Sequence, residues 1–220
     1  MAKILALVSG KGGVGKSTLA VCLAAEWRAR GLRVLVVDAD PQGSAVTWAD
    51  VAAEAGHAAP PVTALGDTLR QAVPELARGF DLVVLDTPGR ASKRLPGALV
   101  LADVALVPCG PSAVDVWALA GLLEVVREVR ELRPELAVAL VANRAKSTTL
   151  ARSARDALDQ CGEPVLGTVI GDRTAYGEAV ACGQGVTAYA PRSAAALEMR
   201  ALADEVGALL GIGKDAANVA

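Results

Sequence analysis

The chain has 220 residues, with 22 lysines and arginines against 24 aspartates and glutamates, a formal net charge of -2 and a 53% hydrophobic composition. That is enough apolar material for one sizeable core, while so small a charge excludes a global attraction to nucleic acid or anionic lipid, leaving such binding to a local patch or to dimerisation. Cys22, Cys109, Cys161 and Cys182 are scattered without a C-x-x-C pair and His57 is the only histidine, which argues against a disulfide framework, a zinc site or a histidine triad and for reduced core thiols and a solvated loop histidine.

In chain order, continuous apolar runs alternate with longer segments of helical period, the pattern of repeated βα units around a parallel sheet. Ile4 to Val8 reads as a strand ending at Ser9, followed by a helix over Ser17 to Arg30. Val34 to Val37 leads into Asp38 and a helix over Ser44 to Glu54. A helix over Asp67 to Arg78 precedes the strand Leu82 to Leu85, which ends at Asp86. Val104 to Val107 stops at Pro108 before a helix over Val114 to Leu132. Val138 to Val141 stops just short of Asn143, ahead of a helix over Thr148 to Gln160. Val165 to Ile170 is the last strand, and helices over Thr174 to Cys182 and Ser193 to Leu210 close the chain.

The expected fold is therefore α/β, a doubly wound, mostly parallel sheet with helices on both faces, in a single domain over residues 1–210 with a frayed tail over 211–220. Polar residues recur at the strand C-terminal ends, where open α/β sheets take their ligands. The N-terminus lacks the length and cleavage site of a signal peptide, and no uncharged apolar stretch approaches the roughly 20 residues of a membrane span. A cytoplasmic protein is expected.

Gly10-Lys11-Gly12-Gly13-Val14-Gly15-Lys16-Ser17 matches G-x-x-x-x-G-K-[ST] between a predicted strand and a predicted helix, the context that the phosphate-binding loop requires. Glycines let the backbone fold close around phosphate oxygens, so that its N–H groups and the helix N-terminus face the anion. Lys16 can then reach the outer phosphates and Ser17 can ligate Mg2+. Asp38 and Asp40, just past the second strand, can hold Mg2+ waters or orient a nucleophilic water. An Asp-Ala-Asp-Pro turn can equally use its aspartates to cap its own backbone. Asp86, ending an apolar strand, suits an acid that holds Mg2+ through water.

Lys11 to Ser17, taken with Val36-Val37-Asp38-Ala39-Asp40-Pro41-Gln42-Gly43-Ser44, resembles the deviant Walker A ATPases of the ParA/MinD family. The resemblance covers nearly the whole chain and is closest to small ParA-type partition proteins, a subgroup that Trp48 also echoes. It implies ATP and Mg2+ as cofactors, and an ATP-dependent homodimer in which Lys11 reaches phosphate on the partner's ATP. It implies catalytic roles for Lys11, Lys16 and Asp40, the last orienting the attacking water, with Ser17, Asp38 and Asp86 around the metal. Nucleotide contacts are implied for Gly12, Gly13, Val14, Gly15, Lys16, Ser17 and Thr18, with Asn143 on the adenine edge and Pro191 in a late loop packed on the base. A loop turn is the other reading of Asn143.

The same resemblance implies slow hydrolysis until a ParB-like or other activating partner protein intervenes, and nonspecific DNA binding that associates the ATP-bound protein with the nucleoid. The cargo would be a plasmid, a chromosomal region or a protein assembly. Candidate DNA-contacting cations are Arg144, Lys146, Arg152, Arg155, Arg173, Arg192 and Arg200. They also read as solvated charges balanced by Asp156, Asp159, Asp172 and Glu198. A MinD-like membrane-cycling ATPase would need an amphipathic basic anchor, for which Gly211 to Ala220 has one lysine and little apolar bulk, so no membrane partner is expected. An iron-sulfur reductase would want paired cysteines after Asp86, which are absent, and no acceptor pocket for an amide-forming synthetase is identifiable.

Overall fold

The computed structural model describes residues 2–89, 94–146 and 156–212, the side chains of 113–116 excepted. Seven strands, β1 (Lys3–Leu7), β2 (Val34–Asp38), β3 (Val62–Ala64), β4 (Leu82–Asp86), β5 (Val104–Cys109), β6 (Ala137–Ala145) and β7 (Val165–Gly171), form one sheet. Its order is β3-β2-β4-β1-β5-β6-β7, and every pairing is parallel. The helices lying wholly within the described residues are α1 (Lys16–Ala29), α2 (Ser44–Glu54), α3 (Leu69–Leu76), α4 (Arg94–Leu101), α5 (Ala113–Leu132), α6 (Thr174–Ala181), α7 (Val186–Tyr189) and α8 (Ala194–Leu210).

Because side chains alternate across a strand, each apolar run supplies both faces of the sheet. Leu5, Leu7, Val34, Val36, Val84 and Leu106 pack one way, against Leu19 and Trp27 of α1, Trp48 of α2, Tyr176 of α6 and Met199 and Leu202 of α8. Ala6, Val8, Leu35, Val37, Leu85 and Val107 pack the other way, against Val73 of α3, Leu99 of α4 and Leu119, Leu122 and Val126 of α5. Both faces are thus covered, which is what a parallel sheet of fully apolar strands demands. Each buried Leu or Val contributes about 1.5–3 kcal/mol relative to exposure.

Three elements were not anticipated from the sequence. Strand β3 is only three residues long at a sheet edge, just after Pro60 and Pro61, and so carries no alternation to read. Helix α4 contains Pro96 and Gly97. Pro96 lies in its first turn, where a missing N–H costs no intrahelical bond. Helix α7 is a single turn. The helix expected over 67–78 is also shorter: α3 carries Pro74 and gives way to a 3-10 turn over Ala77–Gly79. Residues 156–159 are helical, while the rest of the expected 148–160 helix, like the tail from 213, lies outside the described residues. Cys22 and Cys109 are buried as core fillers, but Cys182 is exposed and Cys161 half-buried. His57, expected in solvent, is half-buried, with Nδ1 3.3 Å from Gln184 Nε2.

Candidate nucleotide-binding site

Ahead of α1 the chain leaves β1 and turns through the glycine-rich segment. Gly15 takes φ 88°, the left-handed region, as the residue that opens the helix. A Cβ there would also lie 2.7 Å from Asn143 Nδ2, so both backbone shape and close packing require glycine. No side chain caps α1 and no acid sits in its first turn. Its first N–H groups and positive dipole end are left to face an anion.

Lys16 at the start of α1 is only 6% exposed. Burial lowers its pKa from the ordinary lysine value, while Asp86 and then Asp40 pull it back up. Asp86, at the end of β4, is fully buried and neither carboxylate oxygen has a well-formed hydrogen bond. Burial pushes its pKa up to about 7; the neighbouring Ser17 hydroxyl opposes that rise, Asp38 adds to it, Lys16 opposes it and Asp40 adds again. Unclaimed carboxylate oxygens beside a serine hydroxyl are the donor set of a hard divalent cation. Among the described residues no group of three or more His, Cys, Asp or Glu is placed to hold a metal. A cation here would therefore be completed by phosphate and water, as Mg2+ sites commonly are.

These residues open into a cleft of about 910 Å3 lined by Gly12, Gly13, Gly15, Lys16, Ser17, Thr18, Asp40 and Asn143 from the expected set. Asp172, Arg173, Thr174 and Tyr176, from the end of β7 and the start of α6, also line it; the sequence did not point to them as part of this cleft. Gly89 lies directly under the loop, where a Cβ would be 2.8 Å from Gly12 Cα. Thr87 Oγ1 donates to Leu7 O at 2.7 Å, tying the end of β4 to the end of β1. A second cleft, of about 970 Å3, lies at the opposite end of the sheet and is lined by Arg30, Arg33 and Trp48 with none of the expected nucleotide or metal residues.

Asp38, expected near the metal, is buried at the end of β2 and turns its oxygens to backbone N–H groups. Its Oδ1 accepts from Asp40 N at 3.0 Å, and its Oδ2 accepts from Ala45 N at 2.9 Å and Val46 N at 3.2 Å. The carboxylate thus caps the first turn of α2, the other role open to an aspartate in such a turn. This cap shapes the turn that carries Asp40, whose own Oδ1 accepts from Gln42 N at 3.0 Å. Arg94 braces the same turn by donating to Ala39 O at 2.9 Å while pairing with Asp67 at 3.0 Å.

Asn143, 3% exposed, is turned onto the loop: Nδ2 donates to Val14 O at 2.6 Å and Oδ1 accepts from Arg144 N at 3.0 Å. Pro191 is exposed and outside the cleft wall; its carbonyl accepts from Arg200 at 2.9 Å. Several of the described candidate DNA-contacting cations have partners within the chain. Arg144 donates to Gly13 O at 3.0 Å, Arg173 pairs with Glu198, and Lys146 lies 3.9 Å from Asp172. Asp172 thus faces Arg144 and Lys146, and Glu198 faces Arg173, while Arg192 is exposed. Arg152 and Arg155 lie outside the described residues. Lys11 is exposed.

Comparison with known proteins matches residues 5–186 to the CobQ/CobB/MinD/ParA nucleotide binding domain. The chain is 32% identical over 209 residues to the maintenance of carboxysome distribution protein A of Halothiobacillus neapolitanus, covering 94% of each. It is 36% identical over 234 residues to the chromosome-partitioning ATPase Soj of Thermus thermophilus, covering 92% of this chain and 94% of that one. Its fold superposes on the cell division ATPase MinD of Pyrococcus furiosus with a TM-score of 0.77 at 24% identity, over 95% of this chain and 100% of that one. Cobyrinic acid a,c-diamide synthase of Mycobacterium smegmatis, solved with ADP and magnesium, gives 0.74 at 21% identity over 94% of each chain. At these identities the solved structures speak to the fold alone.

Proposed function

The chain belongs to the CobQ/CobB/MinD/ParA nucleotide-binding family, and from that premise we propose that it is a ParA-type ATPase that positions or partitions a cargo. One domain over residues 1–210 binds ATP with Mg2+, pairs with a second copy, and associates with DNA without sequence preference. A partner protein then stimulates hydrolysis and resets it. The observation that carries the reading is the buried Lys16 beneath a glycine loop, set against an Asp86 whose oxygens are unclaimed.

In this reading Lys16 and the loop amides bind the phosphates, and Ser17 and Asp86 hold Mg2+. When bound, the ion neutralises charge that develops on the transferring phosphoryl group. Asp40, on a turn fixed by Asp38 and Arg94, orients the attacking water. Lys11 is exposed in the loop, which suits contact with a second copy. The similarity to carboxysome-distribution and chromosome-partitioning proteins supports a positioning or partition role, with the ATP-bound form on the nucleoid. No helix among the described residues is long and apolar enough to cross a membrane.

Light scattering of the purified chain tests the switch. With Mg-ATP the wild type is expected to dimerise and to bind random duplex DNA in a salt-sensitive manner, whereas Lys11→Ala stays monomeric and DNA-free. A wild type that remains monomeric with saturating ATP, or that turns over ATP rapidly alone, contradicts the proposal.

A further inference from the structure

The register of β6 against β7 shifts between Leu140 and Ala142 and again between Ala142 and Ala145. Between the pairs Ala142↔Val169 and Ala145↔Gly171, β6 advances one residue more than β7, the count of a β-bulge. Within that bulge Arg144 has φ 57°, and among the described residues it is the one non-glycine with positive φ. A side chain there is sterically costly, and such strain persists only where surrounding contacts hold it.

The contacts are specific. In a regular strand, Asn143 and Arg144 would point to opposite faces. The bulge instead lets both reach the phosphate loop: Asn143 Nδ2 donates to Val14 O at 2.6 Å and Arg144 Nη1 donates to Gly13 O at 3.0 Å. Arg144 N closes the arrangement by donating to Asn143 Oδ1 at 3.0 Å, and its guanidinium lies 3.5 Å from Asp172. Two successive loop carbonyls are thus held outward toward β6. In a compact turn, holding carbonyls outward leaves the intervening N–H groups facing the concave side, where an anion sits.

We propose that the Asn143–Arg144 bulge is a clamp that preorganises the phosphate loop before nucleotide arrives, with Arg144 as a positioning residue rather than a DNA contact. The inference rests on the nucleotide reading above. Preorganisation improves affinity by removing the ordering cost at the moment of binding.

Two variants test it, read by hydrogen exchange of the nucleotide-free chain and by titration with Mg-ATP. Arg144→Gly accepts φ 57° without strain and removes the side chain that carries the guanidinium. It is expected to speed exchange of the loop amides roughly tenfold and to weaken Mg-ATP by a similar factor, while Tm stays the same or rises. That split separates positioning from a general structural role. Arg144→Lys keeps a donor and is expected to recover most of the protection. Unchanged loop exchange in Arg144→Gly, or equal losses in the two variants, overturns the clamp, as does an effect confined to DNA binding. Amides protected in the wild type and released in Arg144→Gly, in a chain that does not bind ATP, keep the clamp and sink the nucleotide reading.

Discussion

At the N-terminal ends of the strands, polar groups are matched in pairs, whereas at the C-terminal ends several are left for something else. Asp81, before β4, accepts from Arg33 N, Nε and Nη2 before β2. Asp103, before β5, accepts from Ile4 N at 2.7 Å, and Glu163, before β7, takes a two-pronged ion pair from Arg130. At the other end Asp86 is buried without a well-formed hydrogen bond, Lys16 is desolvated, α1 starts with no side-chain cap and Arg144 is backbone-strained. The same sheet is finished for stability at one edge and for binding at the other, where satisfying every group internally would remove the reason for a ligand.

The largest expected effect comes from breaking this contrast at Asp86. Asp86→Asn removes a buried carboxylate whose desolvation outweighs the attraction of Lys16, so the nucleotide-free protein should gain about 1 kcal/mol, or roughly 2–4 °C in Tm. Its Mg2+-dependent hydrolysis should fall about a hundredfold. Calorimetry and a phosphate-release assay read the two changes. A fall in Tm together with intact hydrolysis would place Asp86 in the structure and not in the site.

A smaller effect is expected at the paired edge. Glu163→Ala leaves the partly buried Arg130 without its carboxylate and should cost about 1–2 kcal/mol, seen as a lower urea midpoint. Affinity for Mg-ATP should stay within about twofold, since the pair lies at the far edge of the sheet. An effect on nucleotide affinity as large as that on stability would erase the distinction between the two edges.

The sequence spoke unequally about these edges. Apolar runs such as Val34 to Val37 announced central strands because both faces are buried, and Gly15-Lys16-Ser17 announced the loop because few other uses need those residues in that order. Asp38 was read toward the metal because its position after a strand is shared by ligands and caps alike; only the start of α2 at Ser44 decides that its oxygens go to Ala45 N and Val46 N. Arg144 is a surface cation as the sequence suggests, but its left-handed backbone leaves no compositional mark. Its register against β7, a long-range property, is what turns it to Gly13. The ion pairs of Arg173 and Lys146 are likewise invisible until β7 is brought against α8 and β6.

Calorimetric titration of the wild-type chain with ATP, in the presence and absence of Mg2+, tests the central claim most directly. Binding of one nucleotide per chain that strengthens with Mg2+ and disappears in Lys16→Ala is the predicted result. Absence of binding, or binding indifferent to both Mg2+ and Lys16, would contradict it.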